Sequence, residues 1–532
     1  MTFPSAGCQT CKLRRVKCDE TQPVCQRCIK AKRTCVGMRA AEDSSVIHIE
    51  NSYASGKMKR PRGPRSRPPV EKQVLNLAEP SSKLLKVVPD PPIAPSLPAQ
   101  DLKTQAVVYY LHYHSQSAFD APEISKSCLD HLVPLWKSHT DNPILDLAVS
   151  SMALAVFSKT HMHPPAAVQA SMKYQQLLQI TQMTILSLDH GNVDLCLFAI
   201  FFMSRYEDAV HQPSSSCVRR KRDIPLRSFS HHDGALAILK VWKERLSESH
   251  GLSDVVKHTR RGIIRSAILR NLALPEWMWD GASFGEVGLE LQYDSLVLRI
   301  ANIRHELAAL LKEENGIGFR DSYELGISAA KLREQAREID KDLQQWKTAF
   351  PQSWRYHKHM LPDPHPWPMR DFYSPTVYSY SCPAYAMVLN QYFAMRMLVN
   401  NTRLRILKLL KHHHDELHSA SDFDVEFAEC LADIKKMGND LACSVPYCLQ
   451  RFKVTKAKAF SAGGEEKVVV LTLDEDIKPY VASMVIWPLG IASSVGFLDE
   501  GMKVWLRSEL ARLGRMVGAG VLEGAEKEWM DL

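Results

Sequence analysis

The chain has 532 residues, 45% of them apolar and 24% charged, with a formal net charge of +8. The charge is lopsided: residues 1–67 carry a net of +10 and residues 68–532 a net of −2. Affinity for a polyanion is therefore a property of the N-terminal end, and the long remainder has no electrostatic reason to bind one. No stretch approaches the run of about 18 apolar residues that a membrane-spanning helix needs. Leu195–Met203 is too short and is flanked by Asp194 and Arg205.

The first 35 residues hold six of the 13 cysteines: Cys8, Cys11, Cys18, Cys25, Cys28 and Cys35. Their spacing is C-x2-C-x6-C, repeated once. A Cys-x2-Cys turn lets two thiolates grip one ion, and the third sulfur arrives after a short helix. Zinc takes four such ligands in a tetrahedron at about 2.3 Å. Two separate four-sulfur sites would need more cysteines than are present, but six suffice if two zinc ions share two sulfurs. The repeat makes Cys8 and Cys25, first in each half, the natural bridges. So short a segment cannot bury a core, so the metal supplies its folding energy.

Two other readings compete. Three disulfides would need an oxidising compartment, yet Met1–Gly7 shows neither the basic nor the apolar part of a signal peptide. Seven further cysteines (Cys128, Cys196, Cys217, Cys382, Cys430, Cys443 and Cys448) are scattered as in a reducing cytosol or nucleus. A zinc module that binds protein is weakened by charge. Lys12, Arg14, Arg15 and Lys17 crowd the first helix, and Arg27, Lys30, Lys32 and Arg33 the second.

The run from Gly7-Cys8 through Cys11-Lys-Leu-Arg-Arg-Val-Lys-Cys18 and the Pro23 loop to Cys25-Gln-Arg-Cys28 resembles the binuclear zinc-cluster (Zn2Cys6) DNA-binding domain of fungal transcription regulators. The resemblance covers about 30 residues and implies a first helix that enters the major groove at a CGG-type triplet. Carried over, Arg14 and Arg15 fall at base-reading positions, and Lys12 and Lys17 at phosphate or flanking positions. Arginine suits the first task because it pairs bidentately with guanine O6 and N7. The implied function is sequence-specific regulation of RNA polymerase II genes in the nucleus, with a pathway-specific role. The implied partners are double-stranded DNA and the transcription machinery.

Residues 54–108 contain no Phe, Trp or Tyr, and ten of the 30 prolines lie between Pro61 and Pro98. Such a stretch cannot offset its ordering entropy by burial and reads as a disordered linker. Within it Lys57, Lys59, Arg60, Arg62, Arg65 and Arg67 form an acid-free basic run, read as a nuclear import signal for an import receptor. The family often places a coiled coil just after the cluster, but here Val74, Leu75 and Leu77 are followed at once by Pro80. The chain would then bind as a monomer, or pair with a second copy through its C-terminal region.

From Asp101 onward, helical periodicity dominates. Clear segments are Val107–Ser117, Ile144–Phe157, Ala235–Leu246, Leu289–Leu311, Ala329–Trp346, Ala384–Leu410, Phe427–Leu441 and Ala482–Phe497. Breaks at His163-Pro164-Pro165, Pro351 and Pro362–Pro366 separate them, and Lys467–Leu473 is the one persuasive strand. Asp340–Trp354, Asn390-Gln-Tyr-Phe, Cys443–Tyr447 and Ile486-Trp-Pro-Leu489 resemble the all-helical regulatory (middle-homology) domain of the same factors, which restrains or relays activation. The predicted fold class is mainly α: a two-zinc cluster domain (1–40), a basic, Pro-rich linker (41–100) and a large all-helical domain (101–532).

Rival chemistry is thin. Gly281-Ala-Ser283-Phe-Gly285 satisfies G-x-S-x-G, but a nucleophile elbow must follow a strand and open a helix, and here Pro275–Asp280 is turn-rich. His412, His413, His414 and His418 read as a solvated helix end, and His231-His232-Asp233 as a helix start. The tail Leu522–Leu532 mixes acids with bulky apolar groups, which suits an activation segment or a frayed amphipathic helix end. The expectation is that the chain is not an enzyme. The alternative is a ligand-binding or enzyme-like helical body localised to DNA by the zinc head.

Overall fold

A computed structural model describes residues 8, 10, 11, 16, 18, 19, 21, 24–35, 101–115, 121–139, 141–212, 227–314, 322–361, 366–413, 420–458, 465–527, 529, 530 and 532. The chain divides into two units, Met1–Pro92 and Ile93–Leu532. Lys12, Arg14, Arg15, Lys17, the whole basic run from Lys57 to Arg67 and the Val74–Pro80 stretch lie outside the described residues.

Among the described residues the first unit contributes the short helix α1 (Gln26–Lys30). The second begins with α2 (Leu102–His114), α3 (Leu132–Ser138), α4 (Pro143–Thr160), α5 (Pro164–Ile185), α6 (Val193–Val210), α7 (Ser228–Val241), α8 (Ser247–His250) and α9 (Asp254–Arg270). It continues through α10 (Gly288–Lys312) and α11 (Ser322–Thr348) to a hairpin of β1 (His357–Met360) and β2 (Thr376–Ser379). Then come α12 (Pro383–His413) and α13 (Ala420–Cys448), a second hairpin of β3 (Phe452–Lys458) and β4 (Glu465–Leu471), α14 (Pro479–Ser493) and α15 (Glu500–Val517). Both hairpins are antiparallel, pairing His357 with Ser379 and Phe452 with Leu471.

Two helices are buried on nearly every side. Around α4 pack α2, α5 and α6, covering Leu145, Val149, Leu154 and Val156. Asn142 starts α4, its side-chain oxygen accepting from the N–H groups of Ile144 (3.0 Å) and Leu145 (3.4 Å), and Pro143 occupies the first helical position. At 18 residues α4 is long and apolar enough to cross a membrane, but most of it is buried against its neighbours, as in a core helix. The second hub is α12, packed by α10, α11, α13 and α14, with every residue from Val388 to Leu404 buried.

Buried charges on these helices are matched. Arg396 on α12 meets Asp340 on α11 through two 2.9 Å bonds and Asp433 on α13 at 2.8 Å, while Asn400 adds a 2.9 Å bond to Asp340. Glu426 on α13 takes Arg403 (2.8 Å) and Arg333 (2.7 Å). Asp340, Asn390, Gln391, Cys443 and Ser444 on these helices are all buried.

The mainly helical expectation holds, with two additions. Lys467–Leu473 overlaps β4, but the other three strands fall outside the expectation: His357–Met360 is mostly exposed, Thr376–Ser379 is only four residues long, and Phe452–Lys458 is interrupted by lysines. His163-Pro164-Pro165 breaks one helix and also starts the next. His163 caps α5 by accepting from the Ala166 N–H (3.2 Å), and both prolines sit in the first turn. The tail is neither free nor frayed: Trp529 donates to the Gly490 carbonyl (2.9 Å) and the Leu532 N–H to Ser494 O (3.1 Å).

His114, on α2, stacks on Tyr110 at 4.9 Å, and its Nε2 is buried with no hydrogen-bond partner. Burial, aided by the nearby Arg205 charge, pulls its pKa down to about 3. The folded pKa lies below the unfolded value, so this contribution is complete above about pH 6.5 and is lost as pH falls toward 3. By pH 5 the loss is about 2 kcal/mol. His232, lowered to about 4 mainly by burial, acts in the same direction. The H114F variant should therefore lose less melting temperature than wild type between pH 7.5 and pH 5 in a thermal-unfolding series. Equal losses would show that His114 does not titrate on unfolding.

Candidate metal centre

The first unit is organised by its sulfurs. Cys8, Cys11, Cys25 and Cys28 are buried, and Cys18 and Cys35 half-buried. Their atoms form two tetrads: Cys8, Cys11, Cys18 and Cys25, and Cys8, Cys25, Cys28 and Cys35, each with all sulfurs within 4.8 Å of one another. Cys8 and Cys25 belong to both. The Sγ–Sγ separations are 3.7 Å for Cys8–Cys25, Cys8–Cys28 and Cys11–Cys25. A disulfide would require about 2.05 Å. A tetrahedron with zinc–sulfur bonds of about 2.3 Å has edges of about 3.8 Å, so these sulfurs fit zinc.

The sequence repeat becomes a repeat of hydrogen bonds. The Cys11 N–H donates to Cys8 Sγ (3.4 Å) and the Cys28 N–H to Cys25 Sγ (3.3 Å). The Val16 N–H reaches the Cys11 carbonyl (3.1 Å) and the Arg33 N–H the Cys28 carbonyl (3.0 Å), again at matching offsets. Each shared sulfur thus receives an N–H from its own half, which eases its negative charge. The Thr10 hydroxyl donates to the Thr34 carbonyl (2.9 Å) and ties the halves together.

Asp19 is a supporting residue of the centre that spacing alone did not reveal. Its carboxylate accepts from the N–H groups of Gln26 (2.9 Å) and Arg27 (3.2 Å) at the start of α1, and also from the Thr21 hydroxyl. The Thr21 hydrogen bond, with those of Gln26 and Arg27, holds its pKa down at about 2. The signal was an Asp seven residues before Gln26, easily missed because it caps a helix from across a loop. On α1 itself only Cys28 is buried, and Arg27, Lys30, Lys32 and Arg33 around it are exposed. This leaves a metal-anchored surface rich in cations.

Without an ion the thiols hinder one another. Burial, then the hydrogen bond with Cys8, pushes Cys11 up to about 12. Burial would raise Cys8 as well, but the Cys11 N–H and neighbouring thiols bring it down to about 6. Six thiolates cannot share this space until a cation compensates them, so metal binding and folding are one equilibrium.

The rival motifs find structural explanations. Ser283 lies in a 3-10 turn, Gly281–Phe284, and its hydroxyl donates to the Asp280 carbonyl (2.8 Å); no strand leads into it. Gly281 is required because a Cβ there would come within 2.4 Å of Asp294, and Gly285 because its φ is +85°. His231, His232 and Asp233 lie in the first turns of α7, paired with Tyr174 (2.9 Å), Ser204 (2.9 Å) and Arg270 (2.7 Å). The side chains of His412, His413, His414 and His418 lie outside the described residues. A third grouping, Glu123, His131 and His258, has metal-like spacing. Lys126 (3.0 Å) and Lys257 (3.4 Å) already neutralise its one carboxylate.

The shared-sulfur geometry makes Cys8 and Cys25 unlike the other four. C8S or C25S should disturb both ions and reduce zinc toward zero per chain, whereas C18S or C35S should leave about one, counted by metal analysis of the purified chain. The same loss from all four variants would remove the distinction.

Residues 6–45 match the fungal Zn(2)-Cys(6) binuclear cluster domain. An uncharacterized transcriptional regulatory protein of Schizosaccharomyces pombe is 61% identical over 31 residues, 6% of each chain. Sterol uptake control protein 2 of Candida albicans is 34% identical over 103 residues, 19% of this chain and 14% of that one. The Zn(2)-C6 fungal-type transcription factor afumD of Aspergillus fumigatus is 50% identical over 40 residues, 8% of this chain and 11% of the relative. The matched stretches thus span 6% to 14% of these relatives' own length. No solved structure matches the chain. With six sulfurs in two tetrads that share Cys8 and Cys25, and with this family match, the N-terminal segment holds a binuclear zinc cluster.

Proposed function

We propose that the chain is a sequence-specific, DNA-binding transcription regulator of RNA polymerase II genes that reads CGG-type triplets through its zinc cluster. The carrying observation is the pair of sulfur tetrads sharing Cys8 and Cys25, in a segment that alone accounts for the positive charge of the chain. The relatives that share this segment are named as transcriptional regulators. In this reading the cluster is a scaffold, not a catalyst. All of its sulfurs go to metal, which leaves no open position for a substrate at the cluster.

Arg14 and Arg15 are assigned to guanine edges, and Lys12 and Lys17 to phosphates. The exposed cations around α1 add sequence-independent attraction. One triplet carries little information, so full specificity comes from two half-sites. With Pro80 cutting short any zipper, the chain either binds as a monomer or pairs with a second copy through the helical body. That body is assigned the regulatory role of the middle-homology domain and contacts the transcription machinery.

Replacing Arg14 or Arg15 with alanine should relax preference at one G·C pair by about 1–3 kcal/mol. Replacing Lys12 or Lys17 should weaken binding to every sequence and flatten the salt dependence by about 0.9 per lost phosphate contact. Titrations of CGG-containing and scrambled duplexes at several salt concentrations separate the two. If the arginine variants lose both duplexes equally, the base-reading assignment fails.

Lys57, Lys59, Arg60, Arg62, Arg65 and Arg67 are assigned to nuclear import, because import receptors recognise clustered positive charge. At 60.2 kDa the chain is too large for ready passive entry. Replacing all six with glutamine should leave a fluorescently tagged chain mainly outside the nucleus on imaging. Unchanged nuclear accumulation would return residues 57–67 to the role of a spacer.

A further inference from the structure

Two histidines far apart in the sequence meet in the helical body. His131 ends the 3-10 turn Cys128–His131 that leads into α3, and His258 lies early in α9. Their Nε2 atoms are 3.0 Å apart and their ring centroids 4.8 Å. His258 is buried, and its Nε2 also lies 3.2 Å from Glu123 Oε1. On the other side of the pair, His131 Nδ1 lies 3.2 Å from Asp254 Oδ2. Glu123 and His131 belong to one segment, 123–131, and Asp254 and His258 to α9. The four side chains therefore form a seam between that segment and the helix.

These contacts decide where the protons sit. An ionised Asp254 can only accept, so neutral His131 carries its proton on Nδ1 and turns a bare Nε2 toward His258. His258 must then carry its proton on Nε2, where His131 Nε2 and the Glu123 carboxylate share it. One proton joins the two rings. The spacing would also suit a metal ion, but Lys126 (3.0 Å) and Lys257 (3.4 Å) already hold Glu123. A dication in place of the proton would face both ammonium groups.

A second proton has no good place. Asp254 draws it to His131, and both Nε2 atoms would then carry hydrogen at 3.0 Å with neither able to accept. If His258 moved its own proton to Nδ1, it would turn a lone pair toward Glu123 and lose that bond instead. Either way one bond across the seam is lost. The surrounding charges do not relieve the conflict. Burial holds the His258 pKa below its usual value; the Glu123 hydrogen bond opposes this, and Arg261 and His131 add to the lowering. Glu123 stays an anion, since its bond with His258, with Lys126 and Lys257 beside it, keeps it well below the carboxylate range. Glu290 on α10 lies 3.8 Å from Lys257, and Asp130 is engaged by the Ser127 N–H (2.6 Å) and hydroxyl (2.9 Å). A folded-state value below the unfolded one means that the seam contributes fully above about pH 6.5 and weakens as pH falls.

We propose that the His131–His258 pair is a proton-operated catch between segment 123–131 and α9, closed by one shared proton and opened by a second as pH falls from about 6.5 toward 5. Opening is local, because Ile124, Cys128 and Leu132 are buried in the core and Arg261 still donates to the Glu123 carbonyl (2.9 Å). The catch needs both rings, which sets it apart from a lone buried histidine such as His114. It lies in the helical body and is independent of how the zinc cluster reads DNA.

The test is hydrogen exchange of the full-length, zinc-loaded chain across a series from pH 7.5 to pH 5, read by mass spectrometry. Rates are corrected for the intrinsic effect of pH and referred to Val388–Leu404 of α12. After that correction, amides of segment 123–131 should exchange about ten-fold faster at pH 5, the factor that one pKa unit gives. H131Q keeps an acceptor for the His258 proton but cannot take a second, so it should abolish the change. D254N removes the charge that draws the second proton, and should move the midpoint of opening to lower pH. Should H131Q leave the segment open at every pH, the D254N midpoint decides. Exchange in wild type that ignores pH, the same acceleration in H131Q, or a D254N midpoint at or above that of wild type would overturn the proposal. So would a third zinc ion per chain that H131Q removes, by making the pair a metal site.

Discussion

An arginine inside a helical protein has to be given acceptors, and where the long helices of this body cross those acceptors are carboxylates, while Arg304 and Arg451 use carbonyl and amide oxygens instead. Desolvating an ion costs several kcal/mol, and only close, well-aligned counter-charges recover it. The long helices meet where this happens: α11, α12 and α13 at Arg396–Asp340–Asp433 and Arg403–Glu426–Arg333, and α9 with α10 at Arg260–Asp294. α15 closes onto the loop before β2 through Asp371, whose carboxylate takes Arg512 and whose N–H donates to Glu509 (3.2 Å). Apolar packing would tolerate many rotations of one helix about another, but these pairs tolerate few. Breaking one by removing a partner leaves the other charge buried and costs about 3–5 kcal/mol.

The first unit meets the opposite problem. Within α1 only Cys28 is buried, and the hydrophobic effect has almost nothing to act on. Folding must come from thiolate–metal bonds. Hydrogen bonds then finish the geometry by directing N–H groups at the sulfurs and at Asp19. This division explains why cations can stay exposed on so small a unit: the core needs none of its side chains, so its surface is free to be basic.

The metal centre was legible because coordination chemistry fixes spacing: an internal repeat with two-residue gaps leaves few arrangements, and the tetrads follow it. Among the helices, Leu289–Leu311, Ala329–Trp346 and Ala384–Leu410 were legible because each buries a persistent apolar stripe. Helices α5 and α9 were not. α5 is rich in Gln and buries only Ala166, Ala170, Tyr174, Leu177 and Thr181. α9 buries Lys257, His258 and Arg260, which a polar–apolar pattern assigns to solvent. Those charges become acceptable only through partners such as Glu123 and Asp294, far away in sequence.

The two units also divide their chemistry. A thiol reacts with metals and oxidants as its thiolate, so a raised pKa makes it inert. In the body, burial pushes Cys196 and Cys443 up to about 11 and Cys430 and Cys448 up to about 12. Cys128 is raised further by the same cause. These cysteines serve as small apolar packing groups. The N-terminal six are the ones a metal turns into thiolates, and loss of zinc unfolds them into solvent, whereas burial keeps Cys128, Cys196, Cys430, Cys443 and Cys448 protonated. Agents that act on thiols or chelate zinc therefore address the first unit. Protons address the second, through His114 and His232. The same chain thereby carries two sets of sensitivities that share no residue.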